Sequence, residues 1–130
     1  MRKLLGIIPV FLLVTAAAFA ANAYPDITQD ELKQAIADKS VVLLDANGSD
    51  SYRAGHIPGA IDFAANKDHL ASVLPANKDQ LVVAYCGGEK CTAYKEAAQA
   101  AIKLGYMNVR HFAPGISGWK HSGEKVEPGS

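Results

Sequence analysis

Two short apolar runs do most to constrain the fold of this 130-residue chain. They lie at residues 41–44 and 81–85, and neither alternates apolar with polar side chains. Such continuous apolar strands are typical of parallel sheets, because helices cover both faces of those sheets. Segments with helical spacing separate and follow the runs. The sequence therefore predicts one α/β domain with a parallel sheet.

Helices are predicted on either side of these strands. Thr28 and Glu31 have the spacing of a capping box, which predicts a helix over residues 29–38. A second helix is predicted over residues 92–104, where Gly105 ends it in the left-handed conformation. Shorter strands are predicted at residues 60–63 and 109–112. Shorter helical segments are predicted at residues 51–54 and 68–74, and after Pro114.

The start of the chain has the pattern of a secretory signal peptide. Two basic residues precede an apolar run over residues 4–21, which ends in the small residues of 21–23. This order predicts cleavage before Tyr24, with a second acceptable position before Ala21. An uncleaved membrane anchor is the alternative interpretation, since the run is long enough to span a bilayer.

We therefore expect a signal peptide at residues 1–23 and one domain over residues 24–130. The chain would be exported to the periplasm or secreted, without a stable membrane anchor after cleavage. Its 13 basic and 13 acidic residues balance, so no positive field indicates nucleic acid as a partner. Two cysteines and scattered histidines lack metal-ligand spacing, and no dinucleotide motif is present. Neither a metal nor a cofactor is expected.

Cys86 is the strongest candidate for chemistry, because it directly follows the second apolar run. A parallel strand would deliver it to the carboxyl edge of the sheet, where such folds place their ligands. Gly87 and Gly88 permit a tight loop whose N–H groups, with the next helix N-terminus, would lower the thiol pKa. Lys90 adds positive charge at this loop, whereas Glu89 would repel an anionic substrate.

The residues alone leave three states open for Cys86. It is either a reactive thiolate, a buried inert cysteine, or one half of a disulfide with Cys91. The two cysteines are close enough along the chain to bond across a turn, and export would favour oxidation.

Several segments together resemble the rhodanese-like domain family, in particular its single-domain exported bacterial members. They are residues 43–45, 52–60, the strand entering Cys86, 105–109 and 114–119. The resemblance covers residues 27–123. It implies a five-stranded, mainly parallel sheet flanked by helices on both faces.

The resemblance also implies a function. Cys86 would attack a sulfane sulfur donor such as thiosulfate and hold the sulfur as a persulfide. It would then pass the sulfur to cyanide, a small thiol or a protein thiol. The loop that binds substrate and persulfide would comprise Gly87, Gly88, Glu89, Lys90, Cys91 and Thr92. Asp45 and Arg53 would support the loop edge, whereas His56 and Trp119 would be packing residues.

Some positions depart from the pattern of this family. Asn47 stands where many active members have arginine, and Glu89 stands where a small residue is common. Cys91 replaces a hydroxyl residue and would act as a resolving thiol, releasing sulfide and leaving a disulfide. Threonine at position 92, in place of a phosphate-clamping arginine, argues against the related phosphatases. Two alternatives to the sulfurtransferase therefore stay open: a Cys86/Cys91 redox or sulfur-sensing protein, and a non-catalytic binding module.

Overall fold

The computed structural model describes residues 24–129, which form a four-stranded parallel sheet with helices on both faces. The strands are β1 (Val41–Asp45), β2 (Ile61–Asp62), β3 (Leu81–Tyr85) and β4 (Val109–His111), in the order β2-β1-β3-β4. The helices are α1 (Gln29–Ala37), α2 (Ser49–Ala54), α3 (Phe63–Asn66), α4 (Leu70–Val73), α5 (Tyr94–Lys103) and α6 (Gly115–His121). The predicted signal peptide lies outside the described residues.

The two apolar runs form the two central strands, as predicted. β1 and β3 pair in parallel along their whole length, from Val41 opposite Leu81 to Asp45 opposite Tyr85. This register brings the carboxyl ends of both strands to the same edge of the sheet. The loops that follow Asp45 and Tyr85 are therefore neighbours.

The two faces of the sheet have separate hydrophobic cores, because successive strand residues point to opposite sides. On one face, Leu44, Val82 and Ala84 pack with the alanines of α5. On the other, Leu43, Val83 and Tyr85 pack with Leu32 of α1, Phe112, and Ile116 and Trp119 of α6. Both cores are shielded from water, which accounts for the absence of alternation in the two runs.

The sheet has four strands rather than the five that the family resemblance implied. Residues 25–27 lie beside β4, where Ile27 N–H donates to His111 O at 2.9 Å and His111 N–H to Pro25 O at 3.0 Å. This contact is a single bridge between Asp26 and His111. It extends no further because Pro25 has no N–H and Thr28 already caps α1.

Several element boundaries differ from their predictions by a few residues. The capping box is confirmed, since Glu31 N–H donates to Thr28 Oγ1 at 3.2 Å and Thr28 N–H to Glu31 Oε2 at 2.9 Å. The strand predicted over 60–63 stops at Asp62, because its carboxylate accepts from Ala65 N–H and begins α3 at Phe63. The helix predicted from residue 92 begins at Tyr94. The helical segment predicted at 68–74 is a 3₁₀ turn, Lys67–His69, followed by α4.

Within residues 24–129, no helix combines the length and apolar character needed to cross a membrane.

Candidate active site

Cys86 lies at the carboxyl edge of the sheet, one residue beyond the end of β3. Its side chain is almost completely buried, with 1% of the residue exposed. The strand places it there because the buried run 82–85 fixes the preceding backbone between the two cores. The position predicted from the strand pattern is confirmed.

Cys86 is joined to Cys91 by a disulfide, and their Cα atoms are 6.2 Å apart. The structure therefore has the third of the states that the sequence left open. The two cysteine residues have unequal access to solvent. Cys86 is buried, whereas Cys91 is partly exposed and lines a surface pocket.

The loop between the two cysteines presents free backbone donors. Cys91 N–H donates to Gly88 O at 3.1 Å, which closes the loop into a turn. By contrast, no N–H of residues 87–90 donates to an acceptor within residues 24–129. Successive unpaired N–H groups after a strand are a typical anion-binding arrangement. These N–H groups are thus available to an anion or to water.

The first turn of α6 holds this loop in place. Ile116 N–H donates to Cys86 O at 2.9 Å, and Ser117 N–H donates to Gly87 O at 3.0 Å. Gly115 makes the contact close: it has a φ of +61°, and a Cβ there would lie 2.7 Å from the Gly88 nitrogen. No residue with a side chain fits this position without a shift of the loop. A glycine directly after Pro114 is the sequence signal for such a turn.

An open pocket of about 560 Å³ lies over the loop. Its lining comprises Gly87, Gly88, Glu89, Lys90, Cys91, Pro114, Ser117, Gly118 and His121. Five of the six residues predicted to bind substrate are therefore brought together, but Thr92 is not among those that line the pocket. Ser117 and His121 were missed. Their spacing of four residues places them on the same face of α6, which was the available signal.

Comparison with known proteins identifies the family of this chain. The model of the rhodanese-like domain family matches residues 28–122. The chain belongs to the rhodanese-like domain family.

Relatives of this rhodanese-like domain differ in overall length and in name. The HTH-type transcriptional regulator Rv0324 of Mycobacterium tuberculosis is 33% identical over 119 residues, covering 90% of this chain and 51% of the regulator. The protein YibN of Escherichia coli is 30% identical over 113 residues, covering 85% of this chain and 77% of YibN. The crystal structure of a thiosulfate sulfurtransferase from Pseudomonas aeruginosa superimposes with a TM-score of 0.67 at 26% identity. That match covers 84% of this chain and 21% of the sulfurtransferase. The chain thus spans about half the length of the regulator and about a fifth of the sulfurtransferase chain.

In this rhodanese-like domain, Asp45 contacts the loop of residues 87–90 only indirectly, through its neighbour Asn47. The buried Asp45 carboxylate accepts from Asn47 N–H at 2.8 Å and from the Tyr85 hydroxyl at 2.8 Å. Asn47 in turn lies against Gly87, since a Cβ on that glycine would be 3.3 Å from Asn47 Oδ1. Burial raises the pKa of Asp45 above its usual range, although these hydrogen bonds act in the opposite direction.

Arg53 is not brought to the loop. Its guanidinium pairs with Asp50 on α2 and lines a different pocket, beside Asp62 of β2. Any support it gives to the loop edge is therefore indirect. Asn47 does not supply the positive charge that many family members carry there, and Arg53 does not replace it.

Two further predictions concern packing residues. His56 is buried with its ring stacked on Tyr52, the ring centres being 3.8 Å apart. Trp119 is buried in one of the two cores, and its indole N–H donates to Lys125 O at 2.9 Å. Both assignments to packing are confirmed. Within residues 24–129, no group of three or more ligating side chains is placed to hold a metal ion.

Proposed function

We propose that this rhodanese-like domain is a sulfurtransferase with Cys86 as its nucleophile. In the reduced chain, the Cys86 thiolate attacks the outer sulfur of a donor such as thiosulfate. The S–S bond of thiosulfate breaks, sulfite leaves with the electron pair, and Cys86 carries a persulfide. An acceptor thiolate or cyanide then attacks the terminal sulfur and releases the Cys86 thiolate.

The observation that carries this proposal is the set of unpaired N–H groups at residues 87–90 beside Cys86. These donors suit the negative charge of a thiolate, a persulfide or a sulfur donor dianion. The name of the similar Pseudomonas protein, thiosulfate sulfurtransferase, supports the same chemistry.

The charged side chains that line the pocket determine which class of sulfur donor we expect to react faster. Lys90 and His121 line it with groups that can be cationic, and Glu89 opposes them. Gly87 and Gly88 carry no side chain, so a donor can approach the backbone closely. We expect Glu89 to slow the reaction with a dianion such as thiosulfate relative to a less charged donor.

Persulfide formation requires that the Cys86–Cys91 disulfide first be reduced, because neither cysteine is free in the structure. The test is therefore made on the full chain after reduction and removal of the reductant. Thiosulfate should increase the intact mass of Cys91→Ser, which lacks the disulfide, by about 32 Da, one sulfur atom. Cys86→Ser should gain no mass.

The proposal would be wrong if the Cys86→Ser variant gained the same mass, since the sulfur would then reside elsewhere. It would also be wrong if neither the parent chain nor Cys91→Ser reacted, although circular dichroism showed both to be folded.

The disulfide itself favours a second candidate function, a thiol–disulfide redox or sulfur-sensing protein. The reduced chain would then lose about 2 Da on mild oxidation and take up no sulfur from any donor. The mass of Cys91→Ser after thiosulfate separates the two functions, because only a sulfurtransferase would gain about 32 Da.

Export is part of the same proposal, on the evidence of the N-terminal pattern at residues 1–23. An oxidising compartment favours the disulfide. Cell fractionation should find the chain outside the cytoplasm with Tyr24 as its first residue. A cytoplasmic chain that keeps its N-terminus would contradict this part.

A further inference from the structure

We propose that the Cys86–Cys91 pair makes this domain a sulfide-releasing reductase that takes its electrons from a dithiol, which enters at Cys91. This inference rests on the proposed Cys86 persulfide and extends it. Cys91 discharges the persulfide as hydrogen sulfide, and an external dithiol then reopens the disulfide by attacking the Cys91 sulfur.

The discharge step is within reach of the loop. The two sulfurs are bonded in the structure, with Cα atoms 6.2 Å apart and the turn held by the Cys91 N–H to Gly88 O hydrogen bond. A Cys91 thiolate in the same turn can therefore reach the inner sulfur of a Cys86 persulfide. An intramolecular attack of this kind proceeds at a high effective concentration.

Atoms and electrons balance in this step. The Cys91 thiolate attacks Cys86 Sγ, a bond forms between the two cysteine sulfurs, and the bond to the terminal sulfur breaks. The terminal sulfur leaves with the electron pair as hydrosulfide. The sulfane sulfur is reduced, and the two cysteines are oxidised to the disulfide that the structure contains.

The reopening step is directional, because in the oxidised chain only one of the two cysteine residues is exposed. Cys86 is 1% exposed, whereas Cys91 is partly exposed and lines the pocket of about 560 Å³. Thiol–disulfide exchange requires access to the sulfur under attack. An external thiolate must therefore attack Cys91 and expel Cys86. The unpaired N–H groups of residues 87–90 are available to stabilise the departing thiolate.

Because the attack on Cys91 releases Cys86 as a thiolate beside it, only one class of reductant can complete the reaction. A monothiol would form a mixed disulfide with Cys91, and the released Cys86 thiolate lies close enough to expel it again. A dithiol resolves the mixed disulfide with its own second thiol, leaving both cysteines reduced. The electron donor is therefore a dithiol, either a small molecule or a protein.

The discharge step is tested with two sulfur donors, thiosulfate and inorganic polysulfide, added to the reduced and desalted full chain. With either donor the parent chain should end about 2 Da lighter than its reduced form, without a stable sulfur adduct. With thiosulfate it should also release sulfide in an amount equal to sulfite. Cys91→Ser should instead end about 32 Da heavier and release no sulfide.

Each result has a separate meaning. A stable gain of about 32 Da in the parent chain would overturn the inference and leave the proposed function intact. Reaction with polysulfide but not with thiosulfate would refute thiosulfate as the donor and leave the discharge step supported. No sulfur on Cys91→Ser from either donor would overturn both proposals.

The direction of reopening is tested on the parent chain itself, so that test does not depend on any variant folding. The oxidised chain is treated briefly with glutathione, quenched with acid and digested with trypsin. Cleavage after Lys90 separates Cys86, in peptide 79–90, from Cys91, in peptide 91–95. Glutathione should be found on peptide 91–95 in about tenfold excess or more.

The single-cysteine variants Cys86→Ser and Cys91→Ser, treated with glutathione disulfide, provide the two reference peptides. Equal labelling of both peptides, or an excess on peptide 79–90, would overturn the entry of the reductant at Cys91.

The choice of a dithiol is tested by turnover. Dithiothreitol should sustain repeated sulfide release at least about tenfold faster than glutathione at equal thiol concentration. Equal rates would refute that choice.

Discussion

Gly115 is the residue at which a single added methyl group should test the geometry of the loop. Gly115→Ala forces alanine to adopt a φ of +61°, which costs about 1–2 kcal/mol. The new Cβ would also lie 2.7 Å from the Gly88 nitrogen and 2.9 Å from the Gly87 carbonyl carbon, both of them backbone atoms. Relief of such a clash in a packed region costs about 1–3 kcal/mol more.

The matched control is Gly123→Ala. Gly123 has a φ of +84°, but a Cβ there would meet nothing within 4 Å. This variant carries the conformational cost of about 1–2 kcal/mol without the clash. Gly115→Ala should therefore be less stable than Gly123→Ala by about 1–3 kcal/mol. A domain stable by about 5–15 kcal/mol would still fold with either change.

The assay is urea denaturation of the oxidised chains, followed by reaction of the reduced chains with thiosulfate, measured as released sulfite. We expect Gly115→Ala to lose this reaction, because relief of the clash moves the loop N–H groups, whereas Gly123→Ala should react like the parent. Equal stability of the two variants, together with a normal reaction of Gly115→Ala, would refute the claim that α6 holds the loop.

Three further predictions concern stability. Thr28→Ala should lower the unfolding free energy by about 1 kcal/mol in urea denaturation, since it removes the capping box with Glu31, and an unchanged value would contradict that role. Burial lowers the pKa of His111 from its usual 6.5, so the folded state favours the neutral ring. The unfolding free energy of the parent should therefore fall relative to that of His111→Asn as the pH drops from 6.5 to below the lowered pKa of the folded state. Parallel pH profiles of the two chains would contradict this. Burial raises the pKa of Asp45 from 3.8, so the parent should lose stability relative to Asp45→Asn as the pH rises above 3.8 through the raised pKa. The opposite slope would show that the hydrogen bonds to Asp45 outweigh its burial.

Local patterns in the sequence were sufficient to predict the frame of the fold. The continuous apolar runs predicted the two central strands, because burial on both faces removes the need for polar positions. The capping box predicted the start of α1, and the strand ending at Tyr85 predicted the position of Cys86. Each of these three signals is formed by residues that lie close together in the sequence.

Features that depend on contacts distant along the chain were not predictable in this way. The packing of α6 against the loop brings Ser117 and His121 to the pocket. Helical spacing alone does not reveal which face of α6 lines the pocket. The bridge between Asp26 and His111 replaces a fifth strand because α1 begins immediately afterwards.

The location of the transferred sulfur tests the central claim most directly. Reduced Cys91→Ser, in which no second thiol can discharge a persulfide, is treated with thiosulfate, alkylated and digested with trypsin. We predict that peptide 79–90 carries the alkylated persulfide, about 32 Da heavier than the alkylated thiol. A peptide 79–90 that carries only the alkylated thiol, in a chain shown to be folded, would contradict the assignment of Cys86 as the sulfur carrier.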